Sequence, residues 1–157
     1  MKTYVYSFAP SQVPLEKFDK YLLGGKGAGL MEMCSLDLPV PPGCILTTEL
    51  CRVYQQTKDY PTEVKQQLQQ SIRHIEQAIG HSIGFGSLEF PLLLSVRSGA
   101  PFSMPGMMDT ILNLGLNDET ILGLIKQSQN PRFAWDCYRR FIQMYSEVVL
   151  WNDETTT

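Results

Sequence analysis

The segment LLLSVRSGAPFSMPGMMDTILNLGLND, residues 92–118, is the stretch around which the chain is organised. It opens with an apolar run, residues 92–96, that predicts a short buried strand. Arg97 follows this run directly, and small residues come after it. A strand that ends in arginine, serine and glycine can bring a fixed cation and backbone N–H groups to an anion. A second apolar run, residues 111–116, closes the unit.

A glycine-rich stretch, GGKGAG at residues 24–29, offers a second place for an anion. Glycines let the backbone approach a polyphosphate, and Lys26 adds a mobile positive charge. The spacing does not fit the Walker pattern, because Gly27 follows the lysine, and Leu30 replaces the last glycine of the dinucleotide-binding pattern. From these residues alone, a phosphate loop and a tight turn that packs a helix on a sheet are about equally good interpretations.

The central segment leaves two further alternatives open. Arg97 can bind a ligand, or it can extend from a strand end to pair with a surface carboxylate. The three methionines at positions 104, 107 and 108 can fill a core, or they can form an apolar flap hinged at Gly99 and Gly106.

The remaining pattern predicts an α+β fold. Residues 3–8 and 44–47 are expected to be strands, residues 28–36 a short buried helix, and Thr47 or Thr48 the start of another helix. Residues 61–79 predict the clearest helix, since apolar residues recur on one face. That face consists of Val64, Leu68, Ile72, Ile75 and Ile79.

Two more helices are predicted near the end of the chain. Asn117 or Asp118 can cap the first, and Pro131 separates it from a second amphipathic helix over residues 133–150. The expected fold is a small mixed sheet with flanking helices, followed by a helical segment.

Composition narrows the class of protein. The 157 residues are 43% hydrophobic and 18% charged, which is typical of one soluble domain. The net charge of −3 argues against a nucleic-acid partner. No apolar run could span a bilayer and no signal peptide is evident, so a cytoplasmic location with reduced cysteines is expected. The spacing of cysteines and histidines does not predict a zinc site.

Several words of this sequence resemble the N-terminal part of pyruvate, phosphate dikinase. They are SVRSGA and SMPGMMDTILNLGLND in the central segment, LLGGKGAGL at 22–30, and AWDCYRRFIQMYS at 134–146. The resemblance implies the N-terminal part of an ATP-grasp nucleotide-binding domain. It divides the chain into a partial α/β subdomain over residues 1–116, a partial helical subdomain over 117–150, and a disordered tail over 151–157.

The resemblance also implies a function. In such enzymes ATP gives its pyrophosphoryl group to a histidine of another domain, and phosphate and pyruvate then yield diphosphate and phosphoenolpyruvate, with AMP released. Lys26 and Arg97 match the residues that bind the ATP triphosphate. The other nucleotide-binding candidates are Gly25, Gly27, Ser98, Gly99, Ser103, Asp109 and Thr110.

The expected cofactors and partners follow from the same resemblance. They are ATP, Mg²⁺ with ligands outside this chain, and the phosphohistidine and pyruvate domains of a homodimeric dikinase, without nucleic acid or membrane. No catalytic or metal-binding residue is expected here, so the chain alone is predicted to be inactive. The alternative function is a non-catalytic truncated remnant that binds nucleotide weakly or docks on a partner. The ending LWNDETTT does not resemble the family's continuation.

The remaining polar candidates have simpler explanations. Arg139 and Arg140 are expected to be solvated or to pair with Asp136 and Glu147, although a phosphate or interdomain role stays open. Both histidines are expected at the surface, and all four cysteines as small core residues. Those residues are His74, His81, Cys34, Cys44, Cys51 and Cys137.

Overall fold

The computed structural model describes residues 2–10, 19–80, 82–99 and 110–150. Within these ranges, the chain forms four short strands, five α-helices and one π-helical turn. In chain order they are β1 Val5–Phe8, α1 Lys20–Ser35, β2 Gly43–Leu46, α2 Thr48–Thr57, α3 Thr62–Ile79, β3 Leu94–Arg97, β4 Thr110–Leu114, α4 Thr120–Ser128, α5 Pro131–Tyr145 and the turn Ser146–Leu150. The predicted α+β class is confirmed.

The residues group into two compact units. The first holds β1, α1, β2, α2 and α3, and the second holds the described residues from Gly80 to Ser98 and from Thr110 onward. The strands expected in one small mixed sheet form two separate antiparallel pairs, β1–β2 and β3–β4. Strands β3 and β4 and helices α4 and α5 lie in the same unit, and the predicted division at residue 116 stays a prediction. The predicted tail, residues 151–157, lies outside the described residues.

The first unit is built on the β1–β2 pair, which runs from Val5 opposite Leu46 to Phe8 opposite Gly43. Glycine is needed at 43 because a Cβ there would lie 2.5 Å from the Phe8 ring. The apolar side chains of α1 pack on this pair and form one small core. Its buried members are Phe8, Leu23, Met31, Cys34, Val40 and Ile45.

Helix α3 covers another part of the same pair and confirms the prediction for residues 61–79. Val64 and Ile75 are buried, whereas Ile79, at the end of the predicted face, is 43% exposed. The Gln67 side chain accepts hydrogen bonds from the Tyr4 and Val5 backbone N–H groups. Such bonds fix the helix on the strand because they satisfy backbone donors at a partly buried site.

The second unit begins with the central strand, and here the prediction of a buried strand is wrong for most of its length. Leu92 is buried, but β3 starts only at Leu94, and Val96 is 45% exposed. In the described part of the chain β3 pairs only with β4, and α5 packs on β4, but the described residues leave the Val96 side chain exposed. The second apolar run, for which no strand was predicted, forms β4.

The two last helices form as expected; α5 packs on β4, and α4 packs on α5. The Asn117 side chain accepts hydrogen bonds from the Glu119 and Thr120 N–H groups at the start of α4. Asn130 caps α5, whose first residue is Pro131, where the missing N–H costs nothing. The core of this unit is formed by Leu116, Ile121 and Ala134, with half-buried Leu93, Leu124, Ile125, Cys137, Tyr138 and Phe141 around them.

The helix predicted to reach residue 150 is α-helical only to Tyr145, and a π-helical turn, Ser146–Leu150, continues it. All four cysteines are free thiols. Cys51 is exposed on α2, so its prediction as a core residue is wrong. No helix in the described ranges is both long and apolar enough to cross a membrane.

Candidate functional site

The glycine-rich stretch lies inside α1, where it interrupts the helix. Gly24 has φ 72° and ψ 164°, so two helical segments meet at this residue. Residues that have a Cβ atom almost never adopt these backbone angles. Gly25, Lys26 and Gly27 therefore lie in the first turn of the second segment. Backbone N–H groups at a helix start carry partial positive charge and favour an anion.

Gly27 has a packing role that is independent of any ligand. A Cβ at this position would lie 3.0 Å from Cγ2 of Ile45 on β2 and 3.3 Å from the Leu23 Cβ. The structure therefore supports the interpretation in which glycine lets a helix pack closely on a sheet. The same stretch still presents Lys26 to solvent. Packing and anion binding are thus compatible here, since they use different residues of one turn.

Lys26 is exposed and makes no ion pair or side-chain hydrogen bond with any residue in the described ranges. A lysine that serves only to balance charge would be expected beside a carboxylate. A lysine ammonium group that lies next to glycines and has no carboxylate partner among the described residues has the features expected of a group that contacts phosphate. The geometry is thus consistent with the predicted role of Lys26, which stays a prediction.

A contact that the sequence did not predict holds the first segment of α1. The Thr48 hydroxyl at the start of α2 donates a hydrogen bond to the Tyr21 carbonyl, three residues before the break at Gly24. Thr48 was considered only as a helix cap. No local pattern could have indicated this bond, because it joins residues 27 positions apart.

A separate group of the predicted nucleotide-binding residues lies at the end of the β3–β4 pair, in the second unit. Arg97 is the last residue of β3 and stands opposite Thr110, the first residue of β4. Two of the predicted nucleotide-binding residues are therefore neighbours. Ser98 and Gly99 follow in the chain and are exposed. An added Cβ at Gly99 would contact nothing within 4 Å, so packing does not require glycine there.

Arg97 is exposed and has no carboxylate partner among the described residues. This finding disfavours the alternative in which the arginine pairs with a surface carboxylate. Its guanidinium is thus available for an anion, and paired N–H donors make arginine well suited to phosphate. Ser103, Asp109 and the methionine-rich flap lie outside the described residues, so these predictions stay open.

The β3–β4 pair has an irregular register that shapes this end of the unit. Leu94 pairs with Leu114, but Val96 pairs with Ile111, so β4 carries one extra residue. Asn113 lies at this bulge with φ 61°. Bulges increase strand twist and occur often beside functional sites. The asparagine was not selected from the sequence, although Asn is one of the few residues that tolerate positive φ.

Gly115 was also missed, and its role is structural. Its φ is 119°, and a Cβ would lie 2.5 Å from the Leu92 carbonyl oxygen. The close approach of β4's end to the chain before β3 therefore requires glycine. The word NLGLND contained this signal, since an isolated glycine at a strand end often marks close backbone contact.

No group of three or more His, Cys, Asp or Glu residues in the described ranges could hold a metal ion. The described residues therefore do not include a group of ligands suited to Mg²⁺. His74 is half-buried on α3 rather than fully at the surface, and His81 lies outside the described residues. Arg139 and Arg140 both bond to Asp136, as predicted, at 3.0 and 2.7 Å.

Comparison with known proteins agrees with these features. Residues 20–76, which contain the glycine-rich stretch and most of the first unit, match the family described as "Pyruvate phosphate dikinase, AMP/ATP-binding domain". The chain is 49% identical over 151 residues to pyruvate, phosphate dikinase of Rhizobium meliloti (strain 1021), and 50% identical over 151 residues to that of Clostridium symbiosum. Each match covers 96% of this chain and 17% of the relative.

A more distant species gives a similar result, since pyruvate, phosphate dikinase of Giardia intestinalis is 45% identical over 150 residues, which is 95% of this chain and 17% of the relative. The matched family is a nucleotide-binding class of domain. More particularly, the chain is similar over nearly all of its length to the N-terminal region of pyruvate, phosphate dikinases. It spans about 17% of the length of the relatives named here.

Proposed function

We propose that this chain is an ATP-binding portion of a pyruvate, phosphate dikinase, and that Lys26 and Arg97 bind the triphosphate of ATP. The observation that carries the proposal is the match of residues 20–76 to a family described as AMP/ATP-binding, because this range contains Lys26 and its glycines. Arg97 is assigned by the resemblance, and its exposure, with no carboxylate partner among the described residues, supports the assignment.

The proposed role of the two cations is to neutralise and position the phosphates. Phosphoryl transfer asks a protein for little covalent chemistry and much charge stabilisation, so fixed cations are the main requirement. Gly25 would bring backbone N–H groups close to a phosphate oxygen, and Thr110 and Ser98 would offer hydroxyl groups beside Arg97. In the dikinase reaction the phosphoryl acceptor is a histidine of another domain.

Mg²⁺ accompanies ATP in such reactions, but no step is assigned to it here because the described residues lack a suitable set of ligands. We propose that its ligands, the acceptor histidine and the pyruvate site belong to other parts of a dikinase, which would be a homodimer in the cytoplasm. A weak nucleotide-binding or docking module without catalytic activity is the alternative, and the lack of a metal ligand set in the described ranges favours it for the chain by itself.

Calorimetric titration of the 157-residue chain with ATP tests the proposal. Lys26→Gln and Arg97→Gln each remove a charge-assisted contact worth about 1.5–3 kcal/mol, and solvent exposure reduces this to about tenfold in affinity. Arg73→Gln is the matched control, since Arg73 is an exposed arginine on α3 outside the proposed site.

Two outcomes would contradict the assignment. If ATP bound equally well to the parent chain and to both variants, neither cation would be a ligand. If Arg73→Gln weakened binding as much as Arg97→Gln, the effect would reflect total charge. In a full-length relative, Arg97→Gln should slow the ATP-dependent half-reaction and spare exchange between pyruvate and phosphoenolpyruvate.

A further inference from the structure

The solvent-facing side of α5 carries an unusual group of residues. Arg132, Trp135 and Arg139 lie at helical spacings of three, four and seven that place them on one side, and Arg140 borders this side. Ala134, on the opposite side, is fully buried in the core of the second unit. We call the exposed set, together with Phe133, the α5 arginine surface. It borders a shallow concavity of about 560 Å³.

The charges on this surface do not balance. Asp136 accepts hydrogen bonds from both Arg139 and Arg140, at 3.0 and 2.7 Å, so one carboxylate serves two guanidinium groups. The hydrogen bond from Arg139 holds the pKa of Asp136 below its usual value, so the aspartate stays charged. Arg132 is exposed and has no ion pair within the described ranges. Three positive charges thus face one negative charge, in a chain whose net charge is −3.

The next carboxylate along the chain does not correct the imbalance. Arg139 donates to the Gln143 side chain at 3.3 Å, and Gln143 in turn donates to Glu147 at 3.0 Å. Arg139 is therefore linked to Glu147 only indirectly, through the side-chain amide of Gln143. The arginine surface keeps its excess of positive charge over the first three turns of α5.

Two large aromatic side chains lie among these arginines without cover. Trp135 is 52% exposed and Phe133 is 50% exposed. Charged residues alone are usual on the solvent side of a helix, but an exposed tryptophan between arginines is not. Tryptophan and arginine are the residues most enriched at the energetic centres of protein interfaces.

We propose that the α5 arginine surface is a docking site for an acidic segment of a protein, which places carboxylates on the arginines and an apolar side chain against Trp135. Charge complementarity selects this occupant, because a carboxylate matches the paired N–H donors of arginine. The proposal uses different residues from Lys26 and Arg97 and does not depend on ATP binding.

Tryptophan fluorescence offers a direct test. Trp151 is the other tryptophan in the sequence, so the full chain with Trp151→Phe reports on Trp135 alone. The probe is a short synthetic peptide of Glu, Asp and Leu, titrated at low and at physiological salt. We expect saturable binding that weakens as salt increases, since exposed charge pairs are screened.

Variants locate the binding surface. Arg139→Gln and Arg140→Gln should each weaken peptide binding about two- to fivefold at low salt. Arg73→Gln, which removes an equal charge from α3, should leave it unchanged. Trp135→Ala should weaken binding about tenfold or more, measured by peptide anisotropy. Circular dichroism checks that each variant folds, and because the arginines are exposed, their variants keep the test valid even if Trp135→Ala unfolds.

Four results would overturn the proposal. The first is that millimolar peptide shows no saturable binding, and the second is that Arg73→Gln and Arg139→Gln weaken peptide binding equally. The third is that a single-stranded oligonucleotide binds more tightly than the acidic peptide. The fourth is that the chain self-associates in a way that requires Arg139. The third would identify the surface as a nucleic-acid site, since arginine and aromatic residues also bind single strands. The fourth would make a second copy of this chain the occupant.

Discussion

Replacement of Gly24 by alanine should destabilise the chain by an amount that its backbone angles determine. With φ 72° and ψ 164°, Gly24 occupies a region that side chains with a Cβ almost never enter. Holding alanine there costs about 1–3 kcal/mol. Alanine also reduces the entropy of the unfolded chain, which returns about 0.4–1 kcal/mol. The net loss is about 0–2.6 kcal/mol.

Gly29→Ala is the matched control, because the same chemical change occurs in the same helix. An added Cβ at Gly29 would meet no atom within 4 Å, so the change is sterically free. Alanine is favoured over glycine in a helix by about 0.5–1 kcal/mol. We therefore expect this variant to be more stable than the parent chain, and the two variants to move in opposite directions.

Thermal unfolding followed by circular dichroism measures both effects. For a chain of this size each kcal/mol shifts Tm by about 2–4 °C, so Gly24→Ala should lower Tm by up to about 10 °C. The same variants are titrated with ATP. If the break at Gly24 positions Lys26, Gly24→Ala should also weaken ATP binding in the folded fraction, and Gly29→Ala should not. Equal stability of the two variants would show that the chain does not need the break, and the reasoning would fail.

Two further predictions concern the second unit and use the same unfolding measurement. Gly115→Ala should cost about 2–5 kcal/mol, because its Cβ would lie 2.5 Å from the Leu92 carbonyl oxygen at a positive φ; a neutral effect would mean that this close approach is absent. Asn117→Ala should cost about 0.5–2 kcal/mol through loss of the bonds from the Glu119 and Thr120 N–H groups. Asn117→Asp keeps the acceptor and should retain stability, and a loss equal to that of alanine would argue against capping.

Much of the fold could be predicted because its signals are local. Helix α3 follows from apolar residues repeating on one face, and α5 follows from Asn130 and Pro131, which cap and start a helix. The strands were harder to predict. An apolar run indicates burial only if a second layer covers it, and the described residues leave the Val96 side chain exposed. The α-helical part of α5 ends at Tyr145, and no residue near that point is a recognised helix breaker.

The candidate site could be predicted in its residue types but not in its geometry. A lysine among glycines and an arginine after a strand are visible in the sequence. It is not visible that Gly24, rather than Gly25 or Gly27, holds the unusual angles, because adjacent glycines are equally permissive. The dual role of the stretch was also hidden, since the contact of Gly27 with Ile45 depends on which strand faces the helix. The hydrogen bond from Thr48 to Tyr21 could not be predicted either, because it joins residues that are far apart in the sequence.

The last prediction is that the 157-residue chain does not become phosphorylated by ATP. Lys26 and Arg97 would attract a triphosphate, but equal attraction in the ground state and the transition state gives little rate. His74 is the histidine within the described ranges that could accept a phosphoryl group. It lies beside Gln70 and Lys2 in a concavity of about 350 Å³. That lysine is already paired with Glu49.

We predict that incubation with Mg²⁺ and ATP labelled in its β-phosphate leaves the chain unlabelled and releases no AMP. His74→Asn is the control, because phosphohistidine is lost when its acceptor is removed and is labile to acid. Stoichiometric acid-labile label on the parent chain that disappears in His74→Asn would refute this reasoning, because the chain would then contain a phosphoryl acceptor of its own.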